Sequence, residues 1–155
     1  MAKMSTFYFF LQGIPEGIGV TALMLAVARV PLRWGYIFII GTLMVVVNYI
    51  IRSLPVTFGF HLPVVIFLLF ILMLKFTNLT PSKIIIAVFT SLATLTLLEY
   101  LVTSVFFAYT HMDYQSAMAN EGLWAAVGVF QSGILNVIAF VVSRFLKPTE
   151  GAWKR

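Results

Sequence analysis

Residues 84–109, IIIAVFTSLATLTLLEYLVTSVFFAY, decide the fold, because Glu99 is the only charged residue in this long run. A bilayer core about 30 Å thick needs roughly 20 helical residues to cross it, so the run is long enough to span a membrane. Apolar and polar residues do not alternate along it, which argues against the strand of a transmembrane barrel. The run therefore predicts a transmembrane helix.

Four further apolar stretches accompany this run, and short segments with proline, glycine or charged residues separate them. The whole sequence is 61% hydrophobic and only 10% charged, whereas a soluble domain is typically about 25% charged. We therefore predict an all-α polytopic membrane protein, with residues 1–155 forming a single bundle of five transmembrane helices. The predicted spans are about 5–28, 35–51, 62–76, 84–109 and 123–145, and the third is the shortest.

The basic residues predict the orientation of this bundle. Cytoplasmic loops of membrane proteins carry an excess of lysine and arginine. With the N-terminus outside, only Lys3 and Arg52 fall on the outer side, and the C-terminus lies in the cytoplasm. We therefore expect a multi-pass protein of the cell membrane in that orientation. The inner side then receives Arg29, Arg33, Lys75, Lys83, Arg144, Lys147, Lys154 and Arg155.

Several classes of function lack their sequence signals. The chain has no cysteine, no nucleotide-binding glycine loop with its lysine and no H-E-x-x-H pattern. His61 and His111 fall in separate loops, which makes a poor metal site. No helix rich in lysine and arginine suggests nucleic acid as a partner. We therefore expect no enzyme activity, no catalytic residues, no cofactor and no metal, and membrane lipids as the surroundings.

Four of the predicted spans carry polar side chains at i, i+4 spacing, which places each pair on one helix face. Ionisable groups in the hydrocarbon region are expensive and are functional-site candidates by default. All of these polar pairs fall between the midplane and the outer surface of the bilayer. If the pairs face the interior of the bundle, they form a polar pocket that is reachable from outside. Arg52 is then the natural counter-ion of Glu16 or Glu99. The candidate ligand-binding residues are Gln12, Glu16, Asn48, Arg52, Glu99 and Gln131.

Structural roles are the alternative for several of these polar side chains. Single polar residues in membrane helices often only hydrogen-bond neighbouring helices, and a role of this kind suits Asn48 and Asn136. Arg52 could extend its charged end to the membrane surface instead of lining a pocket. Residues 13–17 form a G-x-x-x-G, whose spacing allows close helix approach and would permit a homodimer through the first span.

Two segments resemble a known family. Residues 10–17, FLQGIPEG, and residues 51–61, IRSLPVTFGFH, are similar to the N-terminal membrane region of histidine-kinase-like sensor proteins of Gram-positive, often spore-forming, bacteria. In such sensors a cytoplasmic ATP-binding kinase domain follows the last span, and here only residues 146–155 do. The resemblance implies a stand-alone sensor or regulatory membrane module, or the membrane part of a longer protein.

These observations favour a bacterial membrane sensor that binds a small ligand or signal in the outer-half pocket. It would signal through changed helix packing to a cytoplasmic kinase or regulator. The alternative is transport, as a small-molecule transporter or as a substrate-binding membrane subunit of a transport complex. The odd number of spans and the nearly apolar inner halves count against transport. A purely structural assembly factor is the third class.

Overall fold

The structure is a computed structural model that describes residues 5–55 and 59–154. Within these ranges the chain is all-helical, with no strand beyond one isolated β-bridge. Four helices are long and apolar enough to cross a membrane, which are α1, α2, α4 and α6, and α3 is a shorter apolar helix of 16 residues. The helices are α1 (Thr6–Val27), α2 (Trp34–Ser53), α3 (His61–Phe76), α4 (Pro81–Thr110), α5 (Tyr114–Ala119) and α6 (Glu121–Phe145).

The connection before the last long helix differs from the sequence-based expectation. The sequence predicts a plain loop there, whereas the structure contains the short helix α5. The side chain of Asp113 accepts a hydrogen bond from the backbone N–H of Gln115 at 3.2 Å and so caps the start of α5. Asn120 accepts in the same way from Leu123 at 3.1 Å, so α6 begins two residues before the predicted span. Both differences arise from local capping, which hydrophobicity does not report.

The first helix is the centre of the bundle, since α1 contacts α2, α4 and α6, and its second half is almost fully buried. It runs parallel to α6. The Ser5 backbone N–H donates to the Glu121 carboxylate at 3.0 Å, and Gly19 lies against Leu135 two heptads further along both helices. Contacts that recur every seven residues are typical of helices that cross at a shallow angle. α1 and α6 therefore pack side by side over at least two heptads.

A close backbone approach fixes α2 against α1. A Cβ atom built on Gly17 would lie 2.6 Å from the Gly41 carbonyl oxygen, and one built on Gly41 would lie 2.8 Å from the Ile18 nitrogen. One turn away, Gly13 faces Val45 in the same interface. The G-x-x-x-G of the first span therefore serves close packing within the chain, and α2 covers the face that a homodimer through this motif would use.

The helices α2 and α3 run between the two ends of the bundle. The antiparallel course of α1 and α2 places Tyr49 beside Thr6, with their hydroxyl oxygens 3.0 Å apart. His61 begins α3 within electrostatic reach of Arg52 at this same end. α3 then packs on α2 and α4 and ends at Phe76, at the other end of the bundle. Thus α3 extends from one end of the bundle to the other in spite of its length.

The residues that follow α6 fold back onto the bundle. Thr77 and Trp153 form an antiparallel bridge, in which Asn78 donates its backbone N–H to Ala152 at 2.8 Å and Lys154 donates to Phe76 at 2.9 Å. We call residues 146–154 the tail, and the end of the bundle where it docks the tail end. The sequence predicts no structure for the residues after the last span, whereas here they have a defined, paired conformation.

The side chain of Trp153 anchors the tail and is only 8% exposed. Its indole N–H donates to the Pro31 carbonyl at 2.8 Å, and its ring stacks on Tyr36 with centroids 4.8 Å apart. The Arg33 guanidinium lies over the same ring at 5.5 Å. The tail thereby connects the α1–α2 loop with the α3–α4 loop, which are remote from each other in sequence.

The tail end also gathers the basic residues. Those that the sequence analysis assigns to the inner side lie at this end as far as the structure describes them, and Arg52 lies at the opposite end. Lys3 and Arg155 fall outside the described residues. The segregation of charge agrees with the pattern expected of cytoplasmic ends. The basic residues at the tail end are Arg29, Arg33, Lys75, Lys83, Arg144, Lys147 and Lys154.

Candidate functional site

Gln12 occupies a notch in α6. A Cβ atom built on Gly128 would overlap the side-chain amide of Gln12, so the absence of a side chain at position 128 makes room for it. Gln12 and Gly128 belong to the same seven-residue series of α1–α6 contacts that joins Ser5 to Glu121. The sequence analysis did not single out Gly128. A glycine in an apolar helix predicts that a neighbouring helix approaches closely there, but the helix sequence does not identify which helix that is.

Glu16 lies one turn after Gln12 on α1, toward the tail end, and is partly buried. Two charged groups act on its carboxylate: Glu99 of α4 and Arg52 of α2. The Gln12 side chain is within hydrogen-bonding reach of the same carboxylate. The Glu16 carboxylate thus lies within electrostatic range of predicted site residues on α1, α2 and α4.

Asn48 has an unmet hydrogen-bonding group. Its side chain lies on α2 between Val45, which packs against Gly13, and Arg52, whose guanidinium lies 5.7 Å from the ring centroid of Phe9. The Asn48 Oδ1 atom is buried and has no hydrogen-bond partner in the described part of the chain. A buried acceptor without a partner typically carries a penalty of about 1–3 kcal/mol, so such atoms call for an explanation. A ligand that donates a hydrogen bond at this position would remove the penalty.

The two remaining predicted residues differ in exposure. Gln131 of α6 is only 5% exposed, and it lies about one turn from Gly128. Glu99 is exposed on the surface of α4, in the middle of that helix. A carboxylate exposed at mid-helix in a membrane would face lipid unless another group covers it. Glu99 and the likewise exposed Arg52 are thus the members of the set that a ligand or a neighbouring protein could reach directly.

Neighbouring polar residues bind helices together, as the alternative interpretation predicts for Asn136. Its side-chain amide donates to the Pro15 carbonyl of α1 at 3.0 Å and to Ser132 within α6 at 2.8 Å. Ser132 in turn donates to the Gly128 carbonyl at 2.7 Å. α1 is continuous through Pro15, and the bond from Asn136 to the Pro15 carbonyl ties α6 to α1 at this residue. It does not replace the bond lost to proline, which would have ended on the Leu11 carbonyl.

The charges of the cluster do not balance. Glu16 and Glu99 provide two carboxylates, and Arg52 is the cation that acts on Glu16. With both carboxylates ionised, the cluster would carry an excess of negative charge in a medium of low dielectric constant, which is unfavourable. Either a proton on one of the carboxylates or a bound cation would remove this excess. We refer to Gln12, Glu16, Asn48, Arg52, Glu99 and Gln131 as the polar cluster.

Two cavities lie at the tail end, away from the polar cluster. The larger, of about 480 Å³, is lined by Arg29, Lys83 and Glu150 among others, and we call it the α4 cleft. The other, of about 410 Å³, is lined by Arg144 and Lys147 together with apolar residues, and we call it the α6 cleft. The sequence analysis predicted neither, because both depend on the docked tail for one wall.

Comparison with known proteins found no relative, since no family model matches the chain and searches of curated proteins and of solved structures returned no match. The resemblance to sensor proteins therefore rests on residues 10–17 and 51–61 alone. Of these, residues 56–58 lie outside the described part of the chain.

Proposed function

We propose that this protein is a bacterial membrane sensor or regulatory module with five transmembrane helices, its N-terminus outside and its C-terminus in the cytoplasm. It binds a small ligand in the polar cluster and signals to a cytoplasmic kinase or regulator. The observation that carries the proposal is the convergence of α2 and α4 on Glu16 of α1. The buried Asn48 oxygen of α2, which has no partner among the described residues, is a second acceptor on the same helix as Arg52. The unbalanced carboxylates favour a small cationic ligand with N–H donors.

A continuous path connects the polar cluster with the tail end. Glu16 lies in α1, and the backbone after this helix reaches Arg29, whose carbonyl accepts the N–H of Thr149 in the tail at 2.8 Å. A ligand that moves α1 against α2 or α6 would therefore also move a residue that holds the tail. A sensor needs two packings with different affinity for the ligand. The docked and released tail are the two states that we assign to this mechanism.

Neutralising Glu16 should separate sensing from transport. We expect Glu16→Gln to change which cytoplasmic protein crosslinks to the chain in its native membrane, because the charge that attracts the ligand is lost. The readout is affinity purification after mild crosslinking, compared between the variant and the unaltered protein. Glu121→Gln is the matched control, since it removes a carboxylate but keeps an oxygen for the Ser5 N–H.

Two results would count against the sensor proposal. Uptake of small amines into vesicles that contain the purified protein, lost in Glu16→Gln, would instead support the transporter alternative. Recovery of the same partners, in the same amounts, from both variants and the unaltered protein would remove the role of Glu16 in signalling. A change of partner without any flux is the outcome that supports a sensor.

Single cysteines should reveal whether α3 crosses the membrane. The chain has no native cysteine, so each substitution gives one labelling site. With five spans, we expect a membrane-impermeant maleimide added to intact cells to label Ser53→Cys and Ser116→Cys, but not Ser82→Cys or Lys147→Cys. If α3 does not cross, Ser53 and Ser82 lie on the same side and their labelling agrees. Labelling of Ser82→Cys and Lys147→Cys, but not of the other two, would reverse the orientation.

A further inference from the structure

The α6 cleft has an unusual distribution of charge. Arg144 and Lys147 line it, and none of its lining residues carries a carboxylate. The α4 cleft also contains two cations, but Glu150 lies among its lining residues and offsets one of them. Both basic residues of the α6 cleft are exposed, so their charged groups remain accessible. This cleft is therefore the stronger site for an anion.

The walls of the α6 cleft are apolar below this charged rim. Val30 and Leu32 of the α1–α2 loop and Leu146 of the tail contribute to them. The Arg144 guanidinium lies 4.9 Å from the ring centroid of Phe140, which orients its charge at the rim. Trp34, also in the lining, is 47% exposed at the first residue of α2. A tryptophan at a helix end is typical of the zone of lipid headgroups.

The position of the cleft identifies the kind of anion that it fits. It lies at the end of long apolar helices, where headgroups of the bilayer are the nearest anions. Basic pockets between membrane helices on the cytoplasmic side bind anionic lipid headgroups, and the cytoplasmic leaflet is rich in such lipids. A charged rim above apolar walls matches a phosphate above its glycerol and acyl chains.

We propose that the α6 cleft binds an anionic phospholipid, with Arg144 and Lys147 holding the phosphate and Leu32, Phe140 and Leu146 contacting the apolar part. This site is separate from the polar cluster and does not depend on the sensor function. Because Leu146 and Lys147 belong to the tail, a lipid in the cleft also contacts the segment that the bridge at Thr77 and Trp153 holds in place. The bound lipid thus favours the docked tail.

Native mass spectrometry of the purified full chain in mild detergent tests this site. We expect phosphatidylglycerol to remain bound in preference to phosphatidylcholine, and Arg144→Gln with Lys147→Gln to weaken its binding about thirtyfold. The variant Arg144→Lys with Lys147→Arg, which swaps the two basic residue types, should keep the affinity within about threefold, since it preserves both cations. If the double glutamine variant fails to fold, Lys147→Gln alone should weaken binding about fivefold.

The α4 cleft provides the matched control, since Arg29→Gln with Lys83→Gln removes the same charge from the same end of the bundle. We expect that variant to retain its affinity for phosphatidylglycerol. Equal loss in both double variants would mean that general positive charge attracts the lipid, and it would overturn the proposal. Inorganic phosphate that displaces the lipid at equal concentration would also overturn it, because the site would then select a free anion.

Discussion

Replacing Gly41 by leucine is expected to destabilise the purified protein by about 3 kcal/mol and to lower its melting temperature by about 6–12 °C. A Cβ atom at position 41 would lie 2.8 Å from the Ile18 nitrogen and 2.9 Å from the Gly17 carbonyl carbon. These neighbours are backbone atoms, which cannot rotate away as a side chain can. α1 and α2 must therefore separate, and the packing around Gly17 is lost.

Gly35 offers a control on the same helix. Nothing lies within 4 Å of a Cβ atom built there, so Gly35→Leu should leave the melting temperature within about 2 °C. Gly17→Leu should reproduce the effect of Gly41→Leu, since its Cβ would lie 2.6 Å from the Gly41 carbonyl oxygen. If Gly41→Leu and Gly35→Leu are equally stable, then α1 and α2 do not cross at Gly17 and Gly41.

Replacing Trp153 by alanine is expected to release the tail, with a loss of about 3–5 kcal/mol. The indole is 8% exposed, donates to the Pro31 carbonyl and stacks on Tyr36, so its removal leaves a cavity and an unpaired oxygen. Hydrogen exchange measures the release directly. The backbone N–H groups of Asn78 and Lys154, which pair with Ala152 and Phe76, should lose their protection in the variant.

Trp34→Ala is the matched control for this second prediction. Trp34 also lies at the tail end, but it is 47% exposed, so its removal should cost less than about 1 kcal/mol and leave the exchange at Asn78 slow. Fast exchange at Asn78 and Lys154 in the unaltered protein would contradict the docked conformation. Equal loss of stability in both tryptophan variants would show that Trp153 does not anchor the tail.

Sequence patterns were sufficient for the four long apolar helices, whereas the six-residue ligand site stays a prediction. The run 84–109 needs no tertiary information to be helical, because its length and lack of alternation leave no other structure that satisfies its backbone in a membrane. The i, i+4 spacing predicts polar faces on separate helices, and Glu99 and Arg52 lie within electrostatic range of Glu16 while remaining exposed themselves. Hydrophobic length and the spacing of polar residues can be assessed for each stretch of sequence without knowledge of its neighbours in the fold.

The docked tail could not be predicted in this way. The bridge between Thr77 and Trp153 is one residue pair, which produces no period in the sequence. The notch at Gly128 depends on which helix faces it, and the sequence of α6 does not contain that choice. One signal was available, since a tryptophan within a short polar segment seldom stays in water. Without a partner in view, the same residue is equally typical of the membrane interface.

The length of α3 has a consequence for the lipid around the protein. At about 1.5 Å per residue, its 16 residues measure about 24 Å, whereas the 30 residues of its neighbour α4 measure about 45 Å. A hydrocarbon layer about 30 Å thick exceeds the first and falls short of the second. With α3 as the fifth span that we propose, lipids thin beside it while α4 tilts or extends beyond them, at a modest elastic cost for each ångström of mismatch. The protein should consequently concentrate in thinner regions of a membrane, and short-chain lipids should stabilise it.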